Sequence, residues 1–122
     1  MVVDDNEIFR QRINEIIVNS LHVSHIFHAG SFEEGCRLLK ENKINVVLLD
    51  ISLPDKSGIE LLELINNDYP DTIVLMITNH ADESYRFVCK SMGADHFFDK
   101  SYDFDMIPET ISHIGRDMIY KY

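Results

Sequence analysis

The sequence predicts an α/β fold, five strand–helix units wound as (βα)5 into a doubly wound five-stranded parallel sheet. Three observations predict it. Short apolar runs alternate with helically spaced apolar residues from one end of the chain to the other. Two of those runs, Asn45–Leu49 and Ile73–Ile77, are apolar at both parities, as in strands covered on both faces. Four of the runs also end in polar residues, where open parallel sheets collect their chemistry.

Taken in order, Met1-Val2-Val3 is a short first run stopped by Asp4-Asp5. Phe9, Ile13, Ile16 and Ile17 then fall at helical spacing and place the first helix over Glu7–Asn19. His22–His28, with Val23, Ile26 and Phe27, reads as the second strand. Ser31 and Glu34 form a capping-box pattern that opens a helix through about Lys40. The third strand ends at Asp50, and a loop with Pro54 and Gly58 leads to a helix carrying Leu61, Leu62 and Ile65. Pro70-Asp71 breaks that helix, and the fourth strand ends at Thr78. Tyr85, Val88, Cys89 and Met92 share one face of the next helix, which Gly93 stops. Ala94–Phe98 is the fifth strand, closely followed by Lys100. The last helix begins around Pro108, with Ile107, Ile111, Ile114 and Met118 on its inner face.

Composition bounds the function. The 122 residues carry 11 Lys+Arg against 21 Asp+Glu, a net charge of −10. One domain spanning residues 1–122 is expected, large enough to fold without a disulfide or structural metal. The acidity argues against direct nucleic-acid binding, which needs clustered Lys and Arg, and against an anionic membrane surface. No apolar run approaches the ~20 residues of a membrane span, and the opening residues are in the wrong order for a secretory signal. Cys36 and Cys89 read as buried free thiols of a cytoplasmic protein. His22, His25 and His28 read as exposed strand histidines rather than metal ligands. Tyr85, Arg86 and Phe87 are either a partner-binding surface or an ordinary helix face with Tyr85 turned inward.

Asp4, Asp5, Asp50, Thr78 and Lys100 all fall at the carboxyl edge of the predicted sheet. Neighbouring carboxylates repel one another and raise each other's pKa. A hard divalent cation with oxygen ligands, Mg²⁺ in the first place, compensates them. With a hydroxyl and an ammonium opposite, such a site suits a phosphoryl group, and a central carboxylate can act as nucleophile.

These residues resemble the receiver domain of bacterial two-component response regulators. The match runs through Val2-Val3-Asp4-Asp5, Leu48-Leu49-Asp50, Pro54, Gly58, Thr78, Gly93-Ala94-Asp95 and Lys100, over essentially the whole chain. The resemblance implies a flavodoxin-like sheet of strand order 2-1-3-4-5. It implies that Asp50 accepts a phosphoryl group from a histidine kinase or phosphotransfer protein. Asp5, Asp50 and the Ser52 main-chain carbonyl would ligate Mg²⁺, with Asp4 acting mainly through metal-bound water. Thr78 and Lys100 would bind phosphoryl oxygens, and Ser52 and His80 would flank the path of an attacking water. Thr78 and Phe97 would switch the face made by helix four, strand five and helix five. A downstream target or output domain, or a homodimer, would use that face.

Three departures from the family pattern stand out: the short first strand, Asn79 after Thr78 in place of a small residue, and Ser101 after Lys100 in place of proline. Other functions fit less well. A pseudo-receiver that acts only as an interaction module would have lost Asp50, an acid-pair member or Lys100. A haloacid-dehalogenase-type phosphatase wants an aspartate where Ser52 stands. A flavodoxin-like cofactor binder wants a Gly/Thr/Ser-rich loop after the first strand.

Overall fold

The computed structural model describes residues 1–19, 23–79 and 83–121. His22, where the second strand was expected to begin, and His80 lie outside the described residues. Strands β1 (Val2–Val3), β2 (His28–Ala29), β3 (Val46–Leu49), β4 (Ile73–Thr78) and β5 (His96–Asp99) alternate with helices. The helices are α1 (Glu7–Ile17), α2 (Phe32–Glu41), α3 (Gly58–Asp68), α4 (Glu83–Ser91) and α5 (Met106–Lys121). The sheet is wholly parallel, in the order β2-β1-β3-β4-β5.

Both parities of the central strands are apolar because each faces a separate helical layer. Val3, Val47, Leu49, Val74 and Met76 pack with α2 and α3 residues such as Leu39, Leu61 and Ile65. The alternate residues Val2, Leu48, Leu75 and Ile77 pack with Phe9, Ile13, Ile107 and Ile111 of α1 and α5. Registers Val2↔Leu48 and Leu48↔Leu75 hold the second set in one row across the sheet.

Helix starts follow their caps. Asn6 Oδ1 accepts the Phe9 N–H at 3.1 Å, and Ser31 Oγ accepts the Glu34 N–H at 3.1 Å. Ser57 and Glu60 form a reciprocal capping box on α3. Gly93 ends α4 with φ 99°, a conformation that favours glycine.

Several elements differ from expectation. The second strand shrinks to His28–Ala29, because its sheet partner β1 offers only two residues to pair with. His28 Nε2 lies 3.2 Å from Asn14 Oδ1, while exposed His25 stacks on Phe27 ahead of the strand. The fifth strand begins at His96, because Ala94 still donates to Cys89 O in the turn that closes α4. The last helix begins at Met106, with Pro108 in its first turn, where the missing N–H costs nothing. On α4 only Cys89 is buried. Tyr85 and Val88, expected inside, are 38% and 40% exposed, because α4 covers the sheet at its β5 edge. Cys36 is half-buried rather than buried, and both thiols are free.

Candidate functional site

The ladders extend to the acidic residues themselves. Asp4 N–H donates to Ala29 O and Asp50 N–H to Val3 O, each at 3.0 Å, so both Cα positions are fixed by the sheet. Oxygens of Asp4, Asp5 and Asp50 lie within 4.8 Å of one another. Asp4 is fully buried, Asp50 nearly so and Asp5 exposed. The cluster therefore has a dry floor and an open rim.

Lys100 reaches this floor from the end of β5. Its Nζ lies 2.5 Å from Asp4 Oδ2 and 3.3 Å from Asp50 Oδ2, with the side chain 11% exposed. It donates a hydrogen bond to Asp50. Its approach to Asp4 is a short ion pair that meets a fully buried carboxylate. The Phe9 ring supports the ammonium, with its centroid 4.4 Å from Nζ.

Local bonds set the orientation of each acid. Asp4 Oδ1 accepts the Asn6 N–H at 2.9 Å, and Arg10 donates to the Asp4 main-chain carbonyl. Asp50 Oδ1 faces the Ser52 N–H at 3.4 Å. Burial pushes the Asp50 carboxyl above the usual carboxylate range, and the Asp4 charge adds to that. The Lys100 ammonium and the Ser52 N–H pull the other way. Gly58 lets the loop close over the site. A Cβ there would stand 1.9 Å from the Asp50 carbonyl oxygen, and the Gly58 N–H donates to Ile51 O at 2.7 Å.

Thr78 is fully buried at the end of β4, in register with Asp99, and its carbonyl accepts the Lys100 N–H at 3.0 Å. Phe97 is half-buried on the α2–α4 side of the sheet. The Arg86 guanidinium lies 4.9 Å from the ring centroid and donates to the Phe97 carbonyl at 3.2 Å. The neighbour of Phe97, Phe98, is buried against α5 on the other side of the sheet and stacks on His96. No histidine joins the acidic cluster among the described residues.

The structure therefore gathers Asp4, Asp5, Asp50 and Lys100 at one point, with Thr78 and the Ser52 loop beside them. Three contributors escape sequence reasoning. Arg10 serves Asp4 through its backbone. Asp55 accepts the Phe32 and Glu33 N–H groups at 2.9 and 3.0 Å, tying the loop after β3 to the start of α2. Asp99 closes the turn that carries Lys100. Only Asp99, the last residue of β5, carried a signal in the sequence, as a polar residue at a strand end.

Residues 1–112 match the family model described as the response regulator receiver domain. The chain belongs to that family. The receiver is 26% identical over 120 residues to the transcriptional regulatory protein DegU of Brevibacillus brevis, covering 98% of this chain and 51% of that protein. It is 30% identical over 115 residues to the DNA-binding transcriptional regulator NtrC of Proteus hauseri, covering 94% and 23%. The chain thus spans about half of the first relative's length and about a quarter of the second's. Among solved structures, a CheY-like receiver from Methanospirillum hungatei superposes with a TM-score of 0.87 at 24% identity, covering 99% and 95%. The beryllofluoride-activated NtrC4 receiver domain dimer gives 0.85 at 27% identity, covering 95% and 94%. Membership places this receiver in two-component signal transduction.

The departures from the family pattern are accommodated. All described peptide bonds are trans, including the one before Ser101. Exposed Asn79 borders a cleft with Lys100, Ser101 and Tyr102. Among the described residues, no helix is long and apolar enough to cross a membrane.

Proposed function

We propose that this receiver, spanning residues 1–122, accepts a phosphoryl group on Asp50 from a histidine kinase or phosphotransfer protein in a Mg²⁺-dependent reaction. The observation that carries this reading is Lys100 Nζ set between Asp4 and Asp50, beside a carboxylate cluster that opens to solvent only at Asp5. An Asp50 oxygen attacks phosphorus, the donor P–N bond breaks, the imidazole leaves with a proton, and an acyl phosphate remains. Lys100 neutralises a phosphoryl oxygen, and Thr78 donates its hydroxyl to another.

The acids fit a hard cation. Their ligands are all oxygen, and one oxygen each from Asp4, Asp5 and Asp50 lies within 4.8 Å of the others. Asp5, Asp50 and the Ser52 carbonyl would hold Mg²⁺, with Asp4 acting through its water shell. Mg²⁺ supplies charge neutralisation for the incoming phosphoryl oxygens.

The switch follows from packing. Thr78, drawn toward the phosphoryl group, frees space beside β5 that Phe97 turns to fill. That alters the α4–β5–α5 face, where Phe87 is 74% and Met106 54% exposed. An output domain, a protein target or a second receiver would read that face, in the cytoplasm. The experiment is incubation with acetyl phosphate and Mg²⁺ followed by intact mass measurement. The parent gains one phosphoryl group, and Asp50→Asn gains none. Mapping of the phosphate to another residue overturns the assignment.

A further inference from the structure

The five amides from Asp99 to Asp103 are all committed. Asp99 N–H donates to Asp103 Oδ2 at 2.8 Å and Lys100 N–H to Thr78 O at 3.0 Å. Ser101 and Tyr102 N–H both donate to Asp99 Oδ1, at 2.7 and 3.1 Å. Asp103 N–H returns to Asp99 O at 2.9 Å. One carboxylate thus closes the turn from below and a second clamps its first residue. The lysine stem leaves from the middle of this platform.

Ser101 is the residue where the family pattern has proline. Proline has no N–H, so the 2.7 Å bond to Asp99 exists only because the position departs from the pattern. The two features belong together: an aspartate that needs a donor two residues on, and a residue that supplies one. The carboxylates nearest to Lys100 in sequence are spent on backbone amides. Among the described residues the ammonium pairs only with Asp4 and Asp50. Lysine is a flexible four-carbon stem with a point charge, so the placement of its backbone decides where that charge sits.

We infer that Asp99 is a positioning residue for Lys100, closing through the Ser101 and Tyr102 amides the turn that aims the ammonium at Asp50. The inference rests on the phosphoacceptor reading for its kinetic consequence, but not for its geometric one.

Two variants separate geometry from charge. Asp99→Asn keeps an acceptor oxygen at the same reach and loses the charge. Asp99→Glu keeps the charge, but its longer arm no longer closes the turn. With acetyl phosphate and Mg²⁺, Asp99→Glu is expected to slow phosphorylation by about tenfold or more, as displacement of a reacting group by about an ångström does. Asp99→Asn should stay near the parent rate. The reverse order, or two variants equal to the parent, overturns the inference. A urea-unfolding double-mutant cycle needs no phosphate. The midpoint loss caused by Lys100→Met should be smaller in the Asp99→Glu background than in the parent, because the lysine there is already misplaced. Equal losses in both backgrounds overturn the inference. A parent that takes up no phosphate defeats the phosphoacceptor reading, and the cycle then decides the role of Asp99 by itself.

Discussion

Replacing Lys100 with methionine removes the positive charge from the dry floor of the site and keeps most of the side-chain volume. Asp4 and Asp50 then face each other with oxygens no more than 4.8 Å apart and no cation between them. At the effective dielectric of ~20 suited to protein sites, two like charges at that separation repel by about 3 kcal/mol. Removing one member of a buried ion pair typically costs about 3–5 kcal/mol, so the two routes agree. The lower end applies here, because exposed Asp5 opens the cluster to water. With an m-value of about 1.5 kcal/mol/M, a loss of about 3 kcal/mol lowers the urea midpoint by about 2 M. The loss must depend on pH. Burial already raises the Asp50 pKa, and without Lys100 it rises further. A raised carboxyl binds more protons folded than unfolded, so its penalty builds as pH rises from the unfolded pKa of ~3.9 and is complete only above the folded pKa. Urea midpoints of both proteins at pH 8 and pH 5 test this. The variant should be far weaker at pH 8, closer to the parent at pH 5, and recover more than the parent when Mg²⁺ is added. An unchanged midpoint at pH 8, or an equal deficit at both pH values, would refute the coupling of Lys100 to the two acids.

Three further outcomes are expected. Gly58→Ala puts a Cβ 1.9 Å from the Asp50 carbonyl oxygen, so the loop must move, at about 2–3 kcal/mol in thermal unfolding. Gly35→Ala, whose Cβ meets only side chains, Leu61 at 3.1 Å and Val3 at 3.8 Å, should be nearly neutral, and similar losses for both would remove the special role of Gly58. Asp50→Asn abolishes the ionisation that burial opposes, so the variant should be at least as stable as the parent at pH 7. That advantage should vanish below the unfolded carboxyl pKa of ~3.9; a lower urea midpoint at pH 7 counts against it. Beryllofluoride should shift the amide resonances of Phe97 and of the surface around Tyr85 and Arg86. Changes confined to the surroundings of Asp50 would mean phosphate binding without a switch.

Period and polarity made the layout legible from the chain alone. Residues 46–49 and 73–77 are apolar at both parities, and each parity meets its own helical layer. The glycine after α4 and the cap at Ser31 mark helix ends by local chemistry that tertiary contacts do not override. Where neighbours decide, the sequence was less informative. The length of β2 is set by its partner β1, and the inner face of α4 is thinned by its place at the sheet edge, which no helical spacing encodes.

The candidate site divides in the same way. Asp4, Asp5, Asp50 and Lys100 were readable because each directly follows, or lies within two residues of, an apolar run, and parallel order carries strand ends to one edge. Their partners were not readable, because a backbone carbonyl has no sequence signature. Nothing in the composition of α1 shows that Arg10 turns back to Asp4 O, or that Asp55 reaches α2 across the loop. Ser101 shows the cost of judging a residue by pattern alone. Set against a family proline it looks like a loss of rigidity, but in the fold its N–H is what Asp99 holds. The rigidity needed to aim one flexible lysine can come from a ring that fixes φ or from a carboxylate that gathers amides. This receiver uses the second.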